Sequence, residues 1–141
     1  MFAINQEVAM RKSIFFILSA VVSGSAVPGW LETSNNDAGT SYIDPGSIRR
    51  DSNKVKMATL IDLNTNEMFD GKAYRSLVQI NEYDCEKGQV RQLSRVAYSL
   101  NNGKGEVVYS APESSNWNPV IPILETGKLW HRACENNRLA F

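Results

Sequence analysis

The chain holds one histidine, His131, and two cysteines, Cys85 and Cys134, and these are the first places to look for chemistry. A Ser-His-Asp site would have to recruit His131, yet no Gly-x-Ser-x-Gly elbow precedes it; the residue reads instead as part of the polar side of a terminal helix. Gly103-Lys104-Gly105 lacks the full glycine set of a phosphate-cradling loop and reads as a turn. Glu82 and Asp84 place two carboxylates on one side of a strand. A glycosidase pair must face itself across a sugar-sized cleft, so these two read as solvated. No catalytic residue, cofactor or metal is assigned. Cys85 and Cys134 are best read as one disulfide, with a free thiol pair or a metal site as the alternatives. Zinc wants about four ligands, and one histidine with two cysteines falls short. A bridge would close a loop of roughly 50 residues, worth about 4 kcal/mol by chain entropy. Asp84 beside Cys85 could tune a thiol, but an oxidised cysteine has no nucleophile to tune.

Binding residues are better represented. Arg91 and Arg95 alternate with Gln92 and Ser94 on one strand, and Arg75 lies on the strand before it. A turn at Glu86–Gly88 would bring the two together, making a basic stripe on the sheet face away from the helix. Arginine is enriched at protein interfaces because it stacks and forms forked hydrogen bonds. On an exposed face, replacing all three with Ser is expected to change stability by less than about 0.5 kcal/mol. Trp117 sits in a polar, proline-bracketed stretch and reads as a partly exposed anchor, whereas Trp30 and Tyr42 read as core. Arg49-Arg50 with Lys54 and Lys56 forms a second, smaller basic cluster of heparin-binding type. Candidate protein-binding residues are therefore Arg75, Arg91, Arg95 and Trp117.

The N-terminal stretch reads as an export signal. Met10-Arg11-Lys12 gives a positive start, Ser13 to Val22 an apolar run, and Ser23-Gly24-Ser25-Ala26 the small residues of a cleavage site. That run is shorter than the roughly 20 residues a membrane span needs. Residues 1–26 are assigned as signal peptide and 27–141 as one domain. Export places the two cysteines where thiols oxidise. No cysteine stands at the cleavage site to take a lipid, so no stable membrane insertion is expected after cleavage. The chain balances 15 basic against 15 acidic residues, and removing Glu7, Arg11 and Lys12 with the leader leaves 13 against 14. Net charge thus argues for neither nucleic acid nor an anionic membrane.

The remaining residues must build whatever positions these side chains. Short strand-like runs alternate with turn residues: Trp30–Thr33, Ser41–Asp44, Lys54–Asp62, Lys72–Cys85, Gln89–Ser99 and Glu106–Ser110. Asp44-Pro45-Gly46 should stop the second run, and Leu63 to Gly71, rich in Asn, Asp and Thr, reads as a loop. Pro112, Pro119 and Pro122 exclude central strands after that. From Glu125 to Asn136 the period changes, with Leu129 and Ala133, and Trp130 and Cys134, at i, i+4 spacing on one helix. The predicted fold is α+β: an antiparallel meander of about six strands with a C-terminal helix packed on one face and one disulfide.

Trp30, Tyr42-Ile43-Asp44-Pro45, Ser47-Ile48-Arg49-Arg50, Tyr74-Arg75-Ser76, Asp84-Cys85, Ala97-Tyr98-Ser99, Gly105 to Ser110, Trp117 and Cys134 occur in that order. Together they resemble the surface-adhesin protein E family of bacterial envelope proteins, over about Trp30 to Cys134. The resemblance implies an antiparallel sheet with a helix on one face and a Gram-negative envelope location, at the cell surface or in the periplasm. More loosely, it implies adhesion to host or matrix proteins. The expected function is non-enzymatic binding of a host, matrix or envelope protein through the open sheet face. The alternative is a soluble periplasmic accessory protein, an inhibitor or assembly factor with no adhesive role. A homodimer is left open.

Overall fold

The longest strands arise where β-branched and apolar residues alternate with charge. In Lys54–Phe69 (β3), Val55, Met57 and Thr59 are buried and Lys56 between them is exposed, the period-two pattern of a sheet with two different faces. The computed structural model describes residues 29–112 and 116–135; the signal assigned to residues 1–26 and the start at Val27 lie outside them. Leu31–Asn35 (β1), Gly39–Asp51 (β2), β3, Lys72–Asp84 (β4), Gln89–Tyr98 (β5) and Val107–Ala111 (β6) form one antiparallel sheet in chain order. A two-residue strand, Asn118–Pro119 (β7), pairs with Gln89 and Val90 of β5, short and at the edge as proline requires. One helix, Glu125–Glu135 (α1), closes the described chain. Among the described residues no helix is long and apolar enough to cross a membrane.

Two strands run further than the sequence suggests. β2 continues through Asp44-Pro45-Gly46 by means of a register shift between Asp44 and Arg49. Proline has no N–H to give the ladder there, and the Ser47 hydroxyl bridges the two strands across the shift: it accepts from Ala58 N at 2.8 Å and donates to Asp44 O at 2.6 Å. β3 likewise continues past Leu63 to Phe69, again across a register shift. It ends in Asp70-Gly71, both at positive φ (48° and 76°), the two-residue hairpin turn that Asp-Gly favours.

The main core cluster lies on one side of the sheet, although Leu60, on the other face, is also fully buried. Ile43, Val55, Met57 and Tyr83 meet Leu129 and Ala133 of α1, with Ile48, Val90, Cys85, Trp130 and Cys134 around them. Cys85 and Cys134 form a disulfide, 49 residues apart in sequence, which ties the end of β4 to the helix. Trp130 Nε1 donates to Asp84 O at 2.9 Å beside it. Gly127 lets the helix lie close to the chain before it, since a Cβ there would stand 2.5 Å from Pro122 Cα. Part of the opposite face is also covered. The 3-10 turn Asn101–Gly103 is pinned where Ser76 Oγ donates to Leu100 O and accepts from Gly103 N, and where Asn102 N donates to Asp62 Oδ1. What stays open is the half of that face near the β2–β3 and β4–β5 turns.

Candidate protein-binding face

Directly opposed residues of antiparallel strands share a face. The register opposes Arg49 to Lys56, Lys56 to Glu82, and Glu82 to Arg91. Four charged side chains thus form one row across β2, β3, β4 and β5. The adjacent row, Arg50, Val55, Tyr83 and Val90, points to the helix side, as the burial of Val55 and Tyr83 in the core confirms.

Glu82 is the hub of the row and is 6% exposed, not solvated as its sequence context suggests. A buried carboxylate must be paired. Arg91 donates to Oε1 from Nε at 2.8 Å and holds Nη2 2.6 Å from the same oxygen, while Lys56 Nζ stands 4.0 Å from Oε2. Above Arg91 lies the half-buried Trp117, its ring centre 4.6 Å from the guanidinium carbon. The guanidinium is therefore held between a carboxylate and an indole face, an arrangement that fixes its plane. Trp117 reaches this position because β7 is anchored on β5 and Val120 N donates to Gly88 O at 2.9 Å.

Beside the row is a shallow depression of about 130 Å³ lined by Arg49, Arg50, Asp51, Lys54, Lys56 and Glu82. Arg49 Nη1 is turned back to Gly46 O and Ile48 O, and Arg50 Nη2 donates to Ala133 O at 3.4 Å. The two lysines have no such backbone anchor. His131 is exposed on α1 with its ring against Trp130. Among the described residues no cluster of three or more His, Cys, Asp or Glu could hold a metal ion.

The structure brings Arg91 and Trp117 together but does not form the expected stripe of Arg75, Arg91 and Arg95. A register shift of β5 against β4 opposes Ile80 to Ser94 and Asn81 to Gln92, leaving Leu93 extra. A bulge of one residue inverts the alternation beyond it. Arg95 consequently opposes Gln79, in the row that begins at Ile43 and Thr59, on the helix side. Arg75 is committed elsewhere: its Nε donates to Leu63 O at 2.8 Å and its Nη2 to Asn64 O at 2.7 Å, satisfying carbonyls freed by the irregularity in β3. Arg75 fastens the fold and Arg91 holds a buried carboxylate, so these two are not freely replaceable surface residues. Sequence reasoning also missed that the cluster around Lys56 and the pair Glu82–Arg91 are one site. The signal was available in the two turns. Counting outward from Ser52-Asn53 opposes Arg49 to Lys56, and counting outward from the four residues Cys85–Gly88, one more than the turn read from the sequence, opposes Glu82 to Arg91.

These features define an α+β protein, one antiparallel sheet backed by a disulfide-fastened helix and carrying charge on the other side. A family model described as surface-adhesin protein E matches residues 30–135, and the chain belongs to that family. Solved structures of Haemophilus influenzae protein E share the fold. One superposes with a TM-score of 0.64 at 19% identity, covering 80% of this chain and 89% of that one. Protein E from non-typeable Haemophilus influenzae gives 0.61 at 17% identity, covering 77% and 78%. At such identities the likeness is one of fold. No curated protein matches the sequence.

Proposed function

We propose that this chain is an exported, non-enzymatic adhesin-type protein that binds a host, matrix or envelope protein through the open half of its sheet, with Arg91 and Trp117 as anchors. The observation that carries this reading is the guanidinium of Arg91 clamped between Glu82 and Trp117. Arginine and tryptophan dominate the energetics of protein interfaces, and a side chain already held in place loses little entropy on binding. Membership of a surface-adhesin family supports the non-enzymatic and surface-exposed parts of the reading, and a leader at residues 1–26, as the sequence suggests, would supply a route of export.

The test is capture of matrix proteins and of envelope extract by the immobilised protein and its variants. Arg91→Lys keeps a cation beside Glu82 but removes the fork and the stacking plane; Trp117→Ala removes the ring. Both should weaken capture of the same partner, and capture by the parent should fall with salt. Equal capture by parent and both variants would move the contact off this face. Recovery of the protein only from the periplasm, never from the surface or medium, would favour the accessory-protein alternative.

A further inference from the structure

We infer that the depression between β2 and β3 receives the sulfate or carboxylate groups of an anionic polysaccharide. The inference rests on the reading of this half-face as the binding surface and names a ligand class for it. The chain as a whole is neutral, yet the depression is lined by the cations Arg49, Lys54 and Lys56 against Asp51 and Glu82, with Arg50 at its edge turning its guanidinium to Ala133 O on the helix side. Glu82 is already the partner of Arg91 through two contacts to Oε1, so its charge is largely spoken for. The depression therefore holds a local positive excess in a molecule whose charges balance overall, which is how a protein concentrates an anion at one place.

Size and layout select the kind of anion. At about 130 Å³ the depression is well below the roughly 300–1,000 Å³ of sites that enclose a small molecule. It fits a charged group presented by something larger. The row Arg49, Lys56, Glu82 and Arg91 crosses three interstrand gaps, about 14 Å at the usual spacing; with Glu82 and Arg91 neutralising each other, the cations Arg49, Lys54 and Lys56 lie spread along a path on β2 and β3 rather than converging on a point. A linear polyanion with regularly spaced groups matches that path. Single-stranded nucleic acid matches less well, because its binding draws on aromatic platforms for the bases. No aromatic residue lines the depression, and the nearby ring of Trp117 lies over Arg91.

The experiment uses the protein purified from cells expressing the full chain, with heparin as probe. Selectively desulfated heparin, polyglutamate and a single-stranded oligonucleotide serve as comparison ligands. Heparin should bind with an affinity that falls steeply with salt, and desulfation should weaken it. Lys54→Gln with Lys56→Gln should reduce affinity on the order of tenfold at low salt and lower the salt slope by about two, one per cation removed. Lys72→Gln with Lys128→Gln, an equal charge change at exposed positions elsewhere, should leave binding unchanged. Circular dichroism of both double variants checks that each is folded. The inference is overturned if the parent does not bind heparin, if the two double variants lose affinity equally, or if polyglutamate or the oligonucleotide binds as well as heparin. If heparin fails while Arg91→Lys still weakens protein capture, only the polysaccharide inference falls. If neither responds, the open-face reading falls with it.

Discussion

The two sides of β3 and β4 are built from alternating residues of the same strands, yet they are held together by different physics. On the helix side, Val55, Met57 and Tyr83 meet Leu129 and Ala133, and the Cys85–Cys134 bridge fastens the contact. Burial of apolar surface is non-directional, so this side needs only the right residues in roughly the right place. On the other side, Lys56, Glu82 and Arg91 lie one position away from Val55, Tyr83 and Val90 along the chain, and their arrangement depends on distances of 2.6–4.0 Å. Directional pairing works only if three strands, β3, β4 and β5, agree in register. The comparison separates where stability resides from where we propose recognition resides, and each assignment can be broken separately.

The largest expected effect is on the helix side. Cys134→Ala should cost about 2–5 kcal/mol, as for native bridges in small exported domains, read by chemical denaturation. Hydrogen exchange should show α1 losing protection before β3, because the helix would then be held by apolar contacts alone. Unchanged stability would mean that packing of Leu129 and Trp130 suffices and the bridge adds nothing.

Tyr83 provides the next test. It is 1% exposed, and burial pushes its phenol up from 10.0 to about 12. A phenol that resists ionisation in the folded state contributes stability fully below pH 10, and that contribution is lost as pH rises through about 12. The parent should therefore lose about 2–3 kcal/mol over that window from this group, and Tyr83→Phe should show a correspondingly shallower decline. Parallel curves for the two proteins would show that Tyr83 is not the group opposing alkaline unfolding.

This division also explains what the sequence revealed. The strand order, the terminal helix and the bridge were legible because they follow from hydrophobic period, turn residues and two oxidisable cysteines. The strand extensions were not. Pro45 signals a stop unless the Ser47 hydroxyl is known to accept from Ala58 N and so bridge the two strands, and Asn64 to Asn66 resemble a loop until Asp70-Gly71 is recognised as the true turn. The candidate site was half legible: Arg91 and Trp117 stood out by residue type. Arg75 and Arg95 were grouped with Arg91 by counting in twos, and the extra residue Leu93 defeats that count. A bulge leaves no strong mark in composition, yet it decides which face every later side chain occupies.

On the charged side, Arg91→Ser should destabilise by about 1–2 kcal/mol. Removing one partner of a fully buried ion pair costs more than this, but the Arg91 side chain is 25% exposed, so solvent screening reduces the penalty. Glu82 would be left with only Lys56, 4.0 Å away. Adding Glu82→Gln should recover part of the loss, since a neutral amide is cheaper to leave without its partner than a carboxylate. A double variant less stable than Arg91→Ser by itself would show that Glu82 has a structural role independent of Arg91.

The smallest effect isolates the ring. Trp117 is half-buried and covers Arg91, and a cation over an indole near solvent contributes about 0.5–1 kcal/mol. Trp117→Ala should therefore cost at most about 1 kcal/mol, with the sheet intact by circular dichroism. The informative quantity is its coupling to Arg91. In a double-mutant cycle with Arg91→Lys, two residues in contact should show an interaction energy of about 0.5 kcal/mol or more, because the lysine cannot present a plane to the ring. A coupling near zero would mean that Trp117 is placed by the β7 anchor alone and that the clamp contributes nothing to orienting Arg91. If coupling is present and the loss in partner capture exceeds the loss in stability, the ring serves recognition more than folding, which is the division between the two faces that the sheet's alternation sets up.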